Sequence, residues 1–165
     1  MKLYLVRHAV AHDRDYERWP DDSLRPLTPE GEERFRGVAE EVGRIAPDAP
    51  RLFSSPFERA WRTAEILHEA AGWPEPESLP AMGPDVPPEK AAIALGNVSE
   101  SDDAIALVGH RPQLHELASY LLCGDGDGMR VRIKKGGALC IRFEGGIAPG
   151  SGELLWLITP KVVGK

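Results

Sequence analysis

Two short apolar runs, each emptying into a histidine, constrain this chain more than any other feature. Leu3, Tyr4, Leu5 and Val6 form a continuous apolar stretch that Arg7 and His8 end. Residues 104–108, Ala-Ile-Ala-Leu-Val, repeat the pattern and end in Gly109 and His110. Runs this short make poor helices, and apolar residues at successive positions suit central strands covered on both faces. In an open parallel sheet, ligands bind beyond the carboxyl ends of the strands, so side chains placed there face a potential site. Taken alone, Arg7-His8 reads equally as the polar punctuation of a strand.

Helical signals lie between the two runs. Residues 9–27 are polar and irregular, crowding charges around Trp19-Pro20, and read as a surface loop over the sheet edge. Thr28 then supplies an N-cap, Pro29 a first helical position and Glu30, Glu32 and Glu33 an acidic first turn. Phe35, Val38, Ala39, Val42 and Ile45 follow at helical spacing, giving a face that packs on the sheet. Arg51, Leu52 and Phe53 predict a second strand, with Ser54, Ser55 and Pro56 as turn and cap. A second helix carries Ala60, Ala64, Leu67 and Ala70 on its apolar face, and its spacing puts Arg59 and Arg62 on one side. That side lies near the helix N-terminus, which favours an anion.

Residues 72–88 read as a proline-rich loop or short edge strand, and residues 90–95 as a helix ending near Gly96-Asn97. Pro112 opens another helix with Leu114, Leu117, Ala118, Leu121 and Leu122 as its stripe, broken by Gly124, Gly126 and Gly128. Alternation through Met129, Val131 and Ile133, and again through Leu139, Ile141 and Phe143, predicts strands, with a last one over residues 154–158. The C-terminal strands read as a hairpin-like addition to a mostly parallel sheet, and the whole as a three-layer α/β/α sandwich.

At 165 residues the chain suits one domain, residues 1–165, able to bury its own core. The net charge of −6 and the lack of an extended basic stripe give no basis for nucleic-acid binding, so a cationic site here is local. Cys123 and Cys140 lack metal-ligand spacing and suit reduced thiols. No segment approaches the ~20 apolar residues of a spanning helix, and no signal-peptide pattern opens the chain. The expected location is the cytoplasm, with no membrane partner.

Four stretches converge on one edge of the inferred sheet: Arg7-His8, Arg25 before the first helix, Arg59 in the second, and Gly109-His110. Together LYLVRHA, SSPFERAWRTAE and VGH resemble, in order, the motifs of the histidine phosphatase superfamily. LRPLTPEG and the small size resemble, more narrowly, its SixA-type phosphohistidine phosphatases. The resemblance runs from Lys2 to about Leu122 and implies a phosphoglycerate mutase-like fold. It implies that His8 is the nucleophile of a covalent phosphohistidine intermediate, with Arg7 and Arg59 as anion clamps, His110 as a further donor if protonated, and Arg25 as a phosphate-pocket arginine. No metal or other cofactor is required.

Physically this is coherent. An imidazole near its ordinary pKa of ~6.5 is largely neutral at pH 7, so one nitrogen can attack phosphorus while a contact holds the other. Arg25 and Arg59 taken singly read as solvated arginines, and His110 as a satisfied strand-end histidine; their joint placement favours a phosphate site. His12 with Asp13 and His8 invites a metal reading, but four-residue spacing matters on a helix and this segment does not read as one. Arg62, Arg111, Lys134 and Lys135 read as surface charges, Arg111 extending a cationic rim. His68 and His115 read as structural or solvated, and Trp19 and Trp73 as loop or core anchors.

The pattern departs from the wider superfamily at the leaving-group acid. Ala81 and Met82 stand where related chains often carry acids, leaving Asp85 or Glu89, or Asp13 or Asp15 on the 9–27 loop, as donors, or none. Imidazole is a better leaving group than an alkoxide and makes less demand on an acid. The expected reaction is therefore hydrolysis of phosphohistidine on a signalling protein. The alternatives are a phosphatase or mutase for small phosphate esters, and an inactive phosphoprotein-binding module. The sequence leaves the oligomeric state open, with a monomer as the default.

Overall fold

The apolar run at the N-terminus resolves into two faces in a computed structural model, which describes residues 1–48, 50–99 and 101–163. In β1 (Lys2–Arg7), Tyr4 and Val6 point into one core cluster and Leu3 and Leu5 into another. β4 (Ala104–Gly109) divides likewise, with Ala104, Ala106 and Val108 on the first face and Ile105 and Leu107 on the second. Side chains alternate across a strand, so a continuous apolar sequence means that both faces are covered.

The first face is covered by α1 (Pro29–Ile45) and α2 (Glu58–Ala71), the second by α3 (Pro88–Val98) and α4 (Gln113–Cys123). The sheet between them also contains β2 (Arg51–Ser54), β3 (Glu77–Ser78), β5 (Ala138–Arg142) and β6 (Glu153–Ile158), in the order β3-β2-β4-β1-β5-β6. The first four strands pair in parallel, and β5 and β6 add antiparallel pairs at one side. The molecule is a three-layer α/β/α sandwich with a mixed sheet. A short helix, α5 (Pro160–Val163), follows β6.

Local signals set α1: the Thr28 hydroxyl accepts from the Gly31 amide at 2.9 Å, and Pro29 occupies the first position. Phe35, Val38, Ala39 and Val42 are buried, but Ile45, predicted on the same face, is 42% exposed, and the next residue, Ala46 at the helix end, is buried in its stead. α3 runs longer than its alanine-rich centre, from Pro88 to Val98. Residues 129–133 are the clear departure. Their alternation predicts a strand, yet they form irregular chain in which Ile133 is buried on the α3/α4 side and its amide donates to His115 Nε2 at 3.1 Å. Of the three alternating residues Ile133 is buried, Val131 is half-buried and Met129 is exposed, so the alternation marks one anchored position and not a strand face.

The order of the central strands positions the site. β1 leads into α1 on one face and its neighbour β4 leads into α4 on the other, so a crevice opens between their carboxyl ends. Here Arg7 lies opposite Gly109, and the His8 amide donates to the Gly109 carbonyl at 3.1 Å. Gly136 closes the other side: its amide meets the Arg7 and His8 carbonyls at 3.0 Å, and its φ of +75° is one that glycine adopts without strain.

Candidate active site

Four of the five predicted site residues reach the crevice from strand ends and helix α2, and Arg25 reaches it from the 9–27 loop. All five line one cavity of about 470 Å³. His8 and His110, only 7% and 2% exposed, lie side by side with ring centroids 5.3 Å apart. His8 Nδ1 lies 2.7 Å from the Ala9 carbonyl, which can only accept, so Nδ1 carries the proton and Nε2 keeps its lone pair. His110 Nε2 meets the buried Ser55 hydroxyl at 2.8 Å, and Phe57 packs edge-on against the ring at 5.2 Å.

The arginines enclose the pair. Arg7 donates through one terminal nitrogen to the Ile133 carbonyl at 3.0 Å, and Arg59 through one of its own to the Asp22 carbonyl at 3.0 Å. Arg59 is 4% exposed although it carries a charge, because Asp22 also pairs with it at 3.2 Å. Arg25 reaches the same carboxylate at 2.8 Å and the His12 carbonyl at 2.7 Å. Arg7 Nε, Arg59 Nε and His110 Nδ1 are buried without a protein partner among the described residues. Orphaned buried donors are costly, and donors collected around one cavity mark the place of an anion.

Burial holds the His8 imidazole well below its ordinary value, at about 3, with Arg59, Arg7 and Lys135 adding to the effect against the Ala9 contact. Burial first, then His8, Arg59 and Arg25, holds His110 at about 2. Both rings are therefore neutral at pH 7. For His8 this strengthens the expectation of a neutral ring. For His110, expected to donate if protonated, burial favours the neutral imidazole, and a bound anion would favour the charged form. Burial and the neighbouring Arg111 and Arg132 lower Arg7, while burial and Arg25 lower Arg59.

Sequence reasoning missed Asp22 and Ser55. Asp22 lies on a 3-10 turn (Asp22–Leu24) within the 9–27 loop, and its hydrogen bond from Arg25 holds its carboxyl below the usual range. The available signal was its position three residues before Arg25. Ser55 reads in the sequence as turn and cap; its hydroxyl does accept from the Phe57 amide at 3.2 Å, but it also fixes His110. Helix α2 has no side-chain cap of its own.

The remaining candidates separate cleanly. Asp13 and Asp15 line a different surface pocket with His12 and Trp19, and Asp15 caps the amides of Glu17 and Arg18. Of the possible acids Asp13, Asp15, Asp85 and Glu89, only Asp85 lines the histidine cavity, at its exposed rim. Arg62 does not share Arg59's surroundings as its spacing suggests, because it pairs with Glu32, Glu65 and Glu69. Arg111 and Lys135 do line the cavity. Trp73 is core, and His68 Nδ1 bonds the Trp73 carbonyl at 2.7 Å. No group of three or more His, Cys, Asp or Glu among the described residues is placed to hold a metal.

This geometry agrees with sequence comparison. The sequence pattern of the histidine phosphatase superfamily (branch 1) matches residues 3–82, which deliver His8, Arg25 and Arg59. The chain belongs to the histidine phosphatase superfamily. An uncharacterized protein of Picosynechococcus is 34% identical to it over 98% of both chains. The superfamily fold extends past residue 82 to the whole chain: a structure of the protein histidine phosphatase SixA complexed with tungstate superposes with a TM-score of 0.84 at 22% identity, covering 98% of this chain and 99% of that one. A phosphoserine phosphatase of Entamoeba histolytica superposes with a TM-score of 0.68 at 17% identity, over 97% and 98% of the two chains. Membership of the superfamily supports a phosphatase, and the two structures show the fold.

Proposed function

We propose that this protein removes the phosphoryl group from phosphohistidine on a signalling protein, through a covalent intermediate on His8. The observation that carries the reading is the buried His8–His110 pair, with His8 Nδ1 pinned to the Ala9 carbonyl among orphaned arginine donors. In the first step His8 Nε2 attacks phosphorus and the bond from phosphorus to the substrate imidazole breaks, the departing imidazole taking a proton from water. In the second, water attacks the phosphorus on His8, releasing inorganic phosphate and restoring the free ring. Phosphoryl transfer asks mainly for positioning and charge stabilisation, which falls to Arg7, Arg59 and Arg25. His110 gains affinity for a proton as the anion arrives, and then donates to it.

The carboxylates support phosphohistidine over an ester. Asp22 is committed to Arg25 and Arg59 and is a poor proton donor. Asp85 on the rim is the observation favouring a second reading, in which it protonates an alkoxide leaving group of a small phosphate ester. We also read the chain as a single catalytic domain, since helices cover both faces of one sheet. It would act as a cytoplasmic monomer.

A rapid quench after mixing with a labelled phosphohistidine protein tests the reaction. A base-stable, acid-labile phosphoenzyme is expected, and His8→Ala should lose it together with at least about a thousandfold in kcat. Full activity in that variant would sink the mechanism. Faster turnover of small esters than of phosphoramidates, lost in Asp85→Asn, would establish the second reading.

A further inference from the structure

A second cavity of about 470 Å³ adjoins the first, and Arg7, Arg111 and Lys135 line both. Arg34 enters it from α1, Arg132 and Lys134 from the loop before β5, and Lys161 from α5, so separate segments converge their cations on it. No Asp or Glu among the described residues lines it, in a protein of net charge −6.

The neighbouring arginines behave differently. Arg36, Arg44 and Arg62 on α1 and α2 each face a carboxylate, whereas none of Arg34, Arg111, Arg132, Lys134, Lys135 and Lys161 forms an ion pair among the described residues. Burial together with Arg111 and Arg132 also lowers Arg7, as an uncompensated cluster should. Val10, Phe35, Val38 and Pro160 supply apolar wall. Among the described residues no carboxylate or amide side chain lines the cavity, and apart from the Thr159 hydroxyl its polar side chains are cationic, so the lining favours negative charge.

We infer that this cavity is a second anion subsite, which receives acidic side chains flanking the phosphohistidine of the protein substrate. The inference rests on the proposed phosphohistidine reading and adds what the partner must carry: a carboxylate-rich surface next to its phosphorylated histidine. Opposite potentials on the two surfaces would align the phosphoryl group with His8 and speed encounter.

Two phosphohistidine peptides of equal length, one with Asp and Glu flanks and one with Asn and Gln, test it alongside p-nitrophenyl phosphate. The double variant R34E/R132E alters exposed residues outside the histidine cavity. The acidic peptide should have a KM about five- to tenfold lower at low salt, the gap narrowing as salt screens the charges. In the variant that preference should vanish, with kcat and the p-nitrophenyl phosphate rates unchanged. Equal KM values for both peptides with the unaltered protein would overturn the subsite, as would a variant slowed equally on all three substrates. If neither peptide is hydrolysed, the phosphohistidine reading fails on its own. The subsite is then decided by whether unphosphorylated acidic peptide competes with p-nitrophenyl phosphate, and whether R34E/R132E abolishes the competition. Equally strong, equally variant-sensitive competition by free glutamate would overturn the assignment to a protein segment.

Discussion

Arg59 shows at the scale of one residue how a charge comes to be buried. Its position in the first turn of α2 fixes where the guanidinium starts, and the Asp22 carboxylate and carbonyl satisfy two of its nitrogens while Nε stays unpartnered. Arg59→Ala should lower kcat/KM by about a hundred- to a thousandfold, the usual effect of removing a preorganised donor at developing charge. Arg59→Lys should recover little of it, because an ammonium cannot reproduce a planar fork. Steady-state kinetics check this, and a lysine variant near full activity would mean that only net charge matters. The flanking motif made Arg59 legible in the sequence. Asp22 was not, since its partners come from residues 3 and 37 positions away and only folding brings the second within reach.

Among the elements, the junction of α1 with the 9–27 loop holds Arg25 and Asp22 in place. Gly31, in the first turn of α1, lies so close to the loop that a Cβ there would stand 2.2 Å from the Val10 carbonyl oxygen. The Thr28 amide donates to that same carbonyl at 3.1 Å. Gly31→Ala therefore forces the loop and the helix apart, with an expected loss of about 1–3 kcal/mol. In a chain of this size that is a fall in Tm of roughly 2–10 °C. Activity should fall with it, through the displaced Arg25. A Gly31→Ala protein with unchanged Tm and kcat/KM would show that the contact yields freely. The helix itself was readable from Thr28 and Pro29, whose signals are local. The irregular path of residues 129–133 was not, because it is set by one buried residue, Ile133, held through its amide by the distant His115.

Stability over the whole molecule couples to the same buried histidines. His8 is held at about 3 and His110 at about 2, and burial lowers His115 as well, while all three return to ordinary imidazoles near ~6.5 on unfolding. Below that value the unfolded chain binds more protons than the folded one, so stability rises with pH across the window and is complete above it. Melting temperature should be flat above about pH 7 and fall steadily towards pH 5, where unfolding takes up about two protons or more. A constant Tm between pH 7 and pH 5 would contradict neutral histidines in the folded state. The sequence by itself determined the central strands, the crossover helices and the identity of the four motif stretches, because hydrophobic period, caps and strand ends act over a few residues. Only the tertiary structure decided that His110 is neutral, that Asp22 and Ser55 complete the site, and that unpaired cations gather beside it. Burial and ion pairing depend on what distant segments bring together, and no local pattern in the chain encodes them.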